Sequence, residues 1–430
     1  MKSYIIEGGK RLEGTVKISG SKNASLPILA ATILNGNSNR LYNVPNIRDT
    51  KITLEILKLL GCKIKRNSGK IEINSKNITK TEIADNLMRK MRSTVILAGA
   101  LLGRFKEVTF SYPGGCDIGS RPIDLHLNAF KKLGVEITEE AGFIKCKANK
   151  IIGTNIDLDF PSVGATENII LATVLSEGTT VINNAAMEPE IVDLVNYLKK
   201  MGAKIEGAGT ISITIKGVKK LSGASYNIMP DRIEAGTLLC AVAGSGGRVI
   251  LNDVNPNHLS SVINKLEECG CEIEITNKTI SLKAPKRLKP IEIKTMPYPG
   301  FPTDLQQIFS AMLTKANGTS VIIENIFENR YKYLAELRKM GAKITTEGKT
   351  AIISGVRKLN SATTVCTDLR GGAALVIAGI MAKGKTKIED IDYILRGYEN
   401  IDAKLNSLGA KVKIEEQNVV NDETLSNLET

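Results

Sequence analysis

Tryptophan is absent from the 430 residues, histidine occurs twice, and aromatic residues make up only 4% of the chain. So few rings argue against a surface that stacks nucleic-acid bases, which interleaves aromatic with basic side chains. There is no CxxC pair and no His/Cys/Asp cluster at metal-ligand spacing, so the sequence carries no motif for a bound metal. Seven cysteines, odd in number and irregular in spacing, fit a reducing compartment better than a disulfide framework. No stretch reaches the ~18 uninterrupted apolar residues of a membrane helix. The start, MKSYIIEGGKRLEG, has no long apolar run after its first lysine, so a cytoplasmic location is expected.

Positive charge is what the chain has in excess: 58 Lys and Arg against 45 Asp and Glu, a net charge of +13. That balance attracts anions of any kind, whether phosphorylated metabolites, lipids or nucleic acid, and does not choose among them. Lysines such as Lys199, Lys200, Lys219 and Lys220 read as a solvated coat. With 42% hydrophobic and 24% charged residues the composition is that of a globular protein. The length exceeds the roughly 250–300 residues at which a single core stops growing, so two domains are expected.

One phrase recurs six times, as LKLLGCKI, FKKLGVEI, LKKMGAKI, LEECGCEI, LRKMGAKI and LNSLGAKV. Its glycines are Gly61, Gly134, Gly202, Gly270, Gly341 and Gly409, separated by 73, 68, 68, 71 and 68 residues. Such regularity marks a duplicated supersecondary unit. Each unit opens with a helical run apolar nearly all round, such as STVILAGALL or GGAALVIAGIM, which belongs in a domain centre. A short strand follows, then an amphipathic helix ending at the glycine as a left-handed cap, then two alternating strands. The fold class is therefore α/β; six repeats can form one ring or two groups of three, and the expected arrangement is two groups with a boundary near Pro230. Residues before Lys22 fit neither group by count and are free to complete a sheet of the second.

Two loops interrupt the repeat with polar residues. The loop before each apolar helix carries Lys22, Asn23, Arg92, Ser162, Asp231, Arg232, Asp304, Asp368 and Arg370 at helix N-termini. Unpaired N–H groups and the positive dipole end bind phosphate and carboxylate there. Ser162, Asp304 and Asp368 are equally readable as simple N-caps. Lysine and arginine gain nothing as caps, so Lys22, Arg92 and Arg370 point to ligand binding. The second loop, before the amphipathic helix, supplies Arg48, Arg121, Arg330 and Arg396, as a cleft for a multiply anionic ligand requires. Ion pairing with Asp49, Asp124, Glu328 or Glu399 is the competing reading.

The second repeat adds SYPGGCDIGSRPIDLH. Its glycines and prolines exclude regular structure and put Cys116 on a mobile loop near Arg121, where a cationic neighbour lowers a thiol pKa from about 8.5 towards neutrality. That suits an acid or a nucleophile. Cys62, Cys146, Cys240, Cys269, Cys271 and Cys366 read as buried and inert. A Cys-His hydrolase built on Cys116 and His126 is disfavoured by the lack of a Cys-His-Asn pattern.

Nine ordered motifs, SGSKNASLPIL, YPGGCDIGSRPIDLH, PSVGATENI, AMEPEIVDL, MPDRIEAGT, FPTDLQQ, IFENRY, TDLRGGAALV and RGYENIDAKL, resemble those of the enolpyruvyl transferases that act on UDP-N-acetylglucosamine. The resemblance runs almost end to end. It implies two inside-out α/β barrel domains, 22–229 and 230–430 with 1–21, and an active site in the cleft between them. Lys22, Asn23, Arg92, Arg121 and Arg396 then look like the cradle for phosphoenolpyruvate. Arg121, Pro122, Ile123, Asp124, Leu125, Ser162, Val163, Gly164, Asp304 and Ile326 look like the nucleotide-sugar contacts.

The chemistry implied is addition of the sugar 3'-hydroxyl to phosphoenolpyruvate followed by loss of phosphate, the first committed step of peptidoglycan synthesis. In that scheme Cys116 resembles the acid, open to covalent adducts and to fosfomycin, and Asp304 the base. Asp368, beside Arg370, is a second carboxylate. No cofactor, nucleic acid, membrane or obligate protein partner is implied. The sister enzymes acting on shikimate 3-phosphate lack the cysteine loop, and a basic nucleic-acid-binding repeat protein would need more aromatic residues.

Overall fold

The computed structural model describes residues 2–67, 69–114 and 123–416. The six apolar runs form central helices, α1 (Lys22–Ala31), α2 (Ile96–Phe105), α3 (Val163–Thr173), α4 (Arg232–Ser245), α5 (Thr303–Leu313) and α6 (Leu369–Met381). Helices apolar on every side are stable only when every side is covered. They divide between two hydrophobic cores. One contains α1 to α3 and runs from Ala24 to Met229; the other contains α4 to α6, with Tyr4 to Ile18 and Ile233 to Val412. Gly99 and Gly103 let α2 and α3 touch backbone to backbone: a Cβ at Gly99 would stand 2.5 Å from the Asn168 carbonyl oxygen, and one at Gly103 would strike that of Leu171.

Each unit lays a sheet over its central helix. In the first, Ser38–Tyr42 pairs antiparallel with Lys70–Asn74, which in turn pairs with Lys63–Asn67; Ser225–Asn227 adds a parallel edge. Alternate strand residues are buried, so one face meets the helices and the other meets water. Among the described residues there are five four-stranded sheets and one of three strands, and none closes on itself. The helices are inside and the sheets outside. All six repeat glycines have positive φ, from 84° at Gly134 to 116° at Gly61, which is why that position is never filled by a side chain.

The sixth unit does not build its sheet alone, as the unassigned residues before Lys22 allowed. Its last sheet is completed by the chain's own start: Lys2–Glu7 lies between Lys385–Glu389 and Val412–Glu416, antiparallel to both. Glu13–Lys17 then runs parallel to Arg248–Asn252. The chain passes between the halves at residues 18–22 and 228–231. There Ser21 donates its N–H to Met229 O and Asp231 to Ser19 O, both at 2.8 Å. No helix among the described residues is long and apolar enough to cross a membrane.

Candidate active site

All six central helices aim their N-terminal ends at one cavity of about 500 Å³ between the halves. Local sequence explains why the chain turns there. Ser21, Ser162, Asp231 and Asp368 are N-caps whose side chains accept first-turn N–H groups; Asp231 Oδ1 takes those of Ile233 and Glu234 at 2.8 and 2.9 Å. The other oxygen of Asp231 accepts the N–H of Lys22 at 3.0 Å, so one carboxylate starts α4 and orients the start of α1 in the opposite half.

Lys22, Asn23, Arg92, Leu125, Ser162, Val163, Gly164, Asp304, Ile326, Asp368, Arg370 and Arg396 all line the cavity. Two other residues expected there do not: Ile123 is buried in the first core, and Asp124 is exposed at the start of its helix. Cys116, Arg121 and Pro122 lie outside the described residues. The six remaining cysteines are buried, and burial pushes the thiols of Cys62, Cys146, Cys269 and Cys271 up to about 12, as inert side chains require.

Two carboxylates organise the cations. Asp49, 1% exposed, receives Lys22 Nζ at 3.0 Å and Arg396 Nε at 2.9 Å. Lys22 and Asp49 belong to one half and Arg396 to the other, so the bond from Arg396 crosses the cleft. Asp304, 29% exposed, receives Arg330 Nη2 at 2.6 Å and Arg370 Nη2 at 3.0 Å. Burial alone would raise both carboxyl pKa values. Lys22 and Arg396 hold that of Asp49 below the ordinary range, and Arg370, Arg330 and Lys22 hold that of Asp304 well below it.

Two cations keep donors in reserve. Arg92 is half-buried and has no carboxylate partner among the described residues; burial lowers its pKa. The Nη1 of Arg370 is buried and without a hydrogen-bond partner among the described residues. Asp368, 6% exposed, spends Oδ1 on the N–H groups of Arg370 and Gly371 at 3.0 and 2.8 Å, so its capping role is met in full. Arg48, by contrast, stays at the surface, 51% exposed, against Asp392 at 3.3 Å, and does not line the cavity.

Sequence reasoning had named Arg232 and Asp49 without finding their part. Arg232 forms a two-pronged, fully buried pair with Glu190 of the other half, at 2.9 and 3.2 Å. Glu188 accepts the Tyr298 N–H across the same seam at 3.4 Å, and burial raises the carboxyl pKa values of Glu188 and, further, Glu167. The clue was present in EPE of the fourth motif: two acids flanking a proline at a helix start, in a chain rich in lysine.

Helices enclosed by sheets in two halves, with cations from both meeting at the helix ends, define the fold of the enolpyruvyl transferases. Two solved structures share it over 97% of this chain. They are the enolpyruvyl transferase NikO from Streptomyces tendae, with a TM-score of 0.88 at 23% identity, and the EPSP synthase of Acinetobacter baumannii, with 0.75 at 18%. The sequence model of the EPSP synthase (3-phosphoshikimate 1-carboxyvinyltransferase) family matches residues 6–405, and the chain belongs to that family. Its relatives include UDP-N-acetylglucosamine 1-carboxyvinyltransferase 2 of Caldanaerobacter subterraneus, 51% identical over 96% of this chain and 99% of that one. The UDP-N-acetylglucosamine 1-carboxyvinyltransferase of Clostridium botulinum is 50% identical over the same shares.

Proposed function

We propose that this chain transfers the enolpyruvyl group of phosphoenolpyruvate to the 3'-hydroxyl of UDP-N-acetylglucosamine and releases phosphate, in the cytoplasm and as a step of peptidoglycan synthesis. The observation that carries the reading is the meeting of Lys22 and Arg92 from one half with Arg330, Arg370 and Arg396 from the other around a partly exposed carboxylate, Asp304. The relatives at about half identity over nearly the full length favour this acceptor over shikimate 3-phosphate. We take 22–229 and 1–21 with 230–430 as the two domains.

The mechanism follows from counter-ion exchange. Charge accumulates on a carboxylate and a phosphate during addition and elimination, and fixed guanidinium groups in a cleft that excludes water stabilise it most. Arg92 and the spare Nη1 of Arg370 are donors without a carboxylate or hydrogen-bond acceptor, respectively, among the described residues, suited to the first anion that enters. An incoming carboxylate that draws Arg370 or Arg330 away from Asp304 raises the basicity of Asp304, since those cations are what holds its pKa down. Asp304 then accepts the sugar hydroxyl proton as oxygen attacks C2. Cys116 supplies a proton to C3 in this reading. Phosphate then departs with the C2–O electron pair as C3 returns a proton to the Cys116 thiolate left by the first step, and the C2–C3 double bond re-forms.

Phosphate release with phosphoenolpyruvate and either UDP-N-acetylglucosamine or shikimate 3-phosphate tests the proposal. Release with the nucleotide sugar alone, abolished in Cys116→Ser, is expected. Release with shikimate 3-phosphate alone overturns it.

A further inference from the structure

Asn168 lies in the second turn of α3 and is fully buried. Its carboxamide reaches across to α2, where Oδ1 accepts the N–H of Gly99 at 2.8 Å and Nδ2 donates to the carbonyl of Val95 at 3.0 Å. These are the two backbone groups that a regular helical turn pairs with each other. The contacts fix which end of the carboxamide is which, because the reverse orientation would set NH₂ against N–H and oxygen against oxygen. Gly99 makes room for the insertion: a Cβ there would stand 2.5 Å from Asn168 Oδ1.

The same Nδ2 lies 2.7 Å from Nδ1 of His126. A partner that can only donate makes Nδ1 the acceptor, so the ring hydrogen is on Nε2. A second proton on Nδ1 would face the amide hydrogen, so this contact opposes the imidazolium. The ring rests on the first turn of α3: a Cβ at Gly164 would be 3.1 Å from Cε1 and 3.5 Å from Nε2. His126 lines the cavity beside Ser162, Val163, Gly164 and Arg92. A helix N-terminus repels an imidazolium and attracts an anion. A neutral ring that still donates is compatible with both.

We propose that Asn168 is a positioning residue that locks His126 as the neutral Nε2–H tautomer, and that His126 in this form donates a hydrogen bond to an anionic oxygen of the diphosphate held at the start of α3. The inference rests on the function proposed above and adds to it a neutral, directional donor among arginines. The lock exists only because α2 and α3 approach closely enough for one carboxamide to span a helical turn and a ring at once.

The experiment has two independent arms. With only two histidines in the chain, protein labelled with ¹⁵N-histidine gives two ring systems, and His258→Gln assigns them. Ligand-free protein should show His126 with a bare Nδ1 and a protonated Nε2. Asn168→Ala should move both signals towards the average of the two tautomers. In the second arm, His126→Phe should weaken UDP binding by calorimetry, and raise KM for UDP-N-acetylglucosamine, by about ten-fold or more, with KM for phosphoenolpyruvate changed less than about two-fold. His126→Gln, with an acceptor towards Asn168 and a donor where Nε2–H stood, should recover most of the loss. A protonated Nδ1 in the wild type, or unchanged UDP affinity in His126→Phe, overturns the inference. Wild-type protein that binds no UDP but shows the bare Nδ1 overturns instead the function on which the second half rests.

Discussion

Asp49 and Asp304 each gather two cations at the same cleft, yet they differ in what they leave open. Asp49 is 1% exposed and sits under Lys22 and Arg396; Asp304 is 29% exposed and faces the cavity. The first is a clasp between halves whose charge is wholly spent inside the protein. The second can trade a guanidinium for a substrate anion and change its basicity in doing so. Position in the repeat accounts for the difference: Asp49 starts an amphipathic helix packed against the core, whereas Asp304 starts a central helix whose end opens on the cleft. Asp193 makes the contrast sharper, having no cationic partner among the described residues. Burial lifts its pKa to about 6, opposed by hydrogen bonds from the Tyr226 hydroxyl at 2.6 Å and the Met229 N–H at 3.2 Å.

The comparison is easiest to break at Asp304. Asp304→Asn keeps an acceptor for the arginines but no base, and kcat for phosphate release should fall by about 10²–10⁴. An equal fall in Asp49→Asn would erase the distinction. Next in size is the seam: Arg232→Ala strands Glu190 in the interior and should cost about 3–5 kcal/mol of stability in urea unfolding. A cost below about 1 kcal/mol would mean that the pair holds nothing together.

For Asp193 the sign follows from a folded-state pKa above its ordinary 3.8. Its favourable contribution is complete below about pH 4 and is lost as pH climbs through about 6. Wild type should therefore lose on the order of 2 kcal/mol relative to Asp193→Asn over that window. A constant difference from pH 4 to 7 would contradict the assignment. Asp49→Asn should lower kcat by no more than about ten-fold while raising KM for phosphoenolpyruvate, because Lys22 and Arg396 lose part of their anchor. Smallest of all, Arg48→Ala removes an exposed pair with Asp392 and should change stability by less than about 0.5 kcal/mol.

Much of this was legible beforehand, and the reasons are particular. The repeat glycines announced six units because a left-handed helix end tolerates almost nothing else. Lys22, Arg92 and Arg370 stood out because cations are poor helix starters, and the structure has all three on the cavity wall. The pairings were not legible. Arg396 is 347 residues from Asp49 and Arg232 is 42 from Glu190. Nothing local distinguishes those arginines from Arg48, whose partner sits on the surface. That Asp368 both caps α6 and lines the cavity was not readable beforehand, since a cap and a ligand residue have the same composition and the same place.

Periodicity and residue type determined by themselves the α/β unit, its six copies, the buried character of the central helices and the inert cysteines, because each depends on neighbours within a turn or a hairpin. Only tertiary structure decided which carboxylate meets which cation, which cation keeps a donor in reserve, and which nitrogen of His126 carries hydrogen. Those are set by the crossing of helices distant in sequence, where a few ångströms of separation and the loss of water determine whether a charge is spent or available.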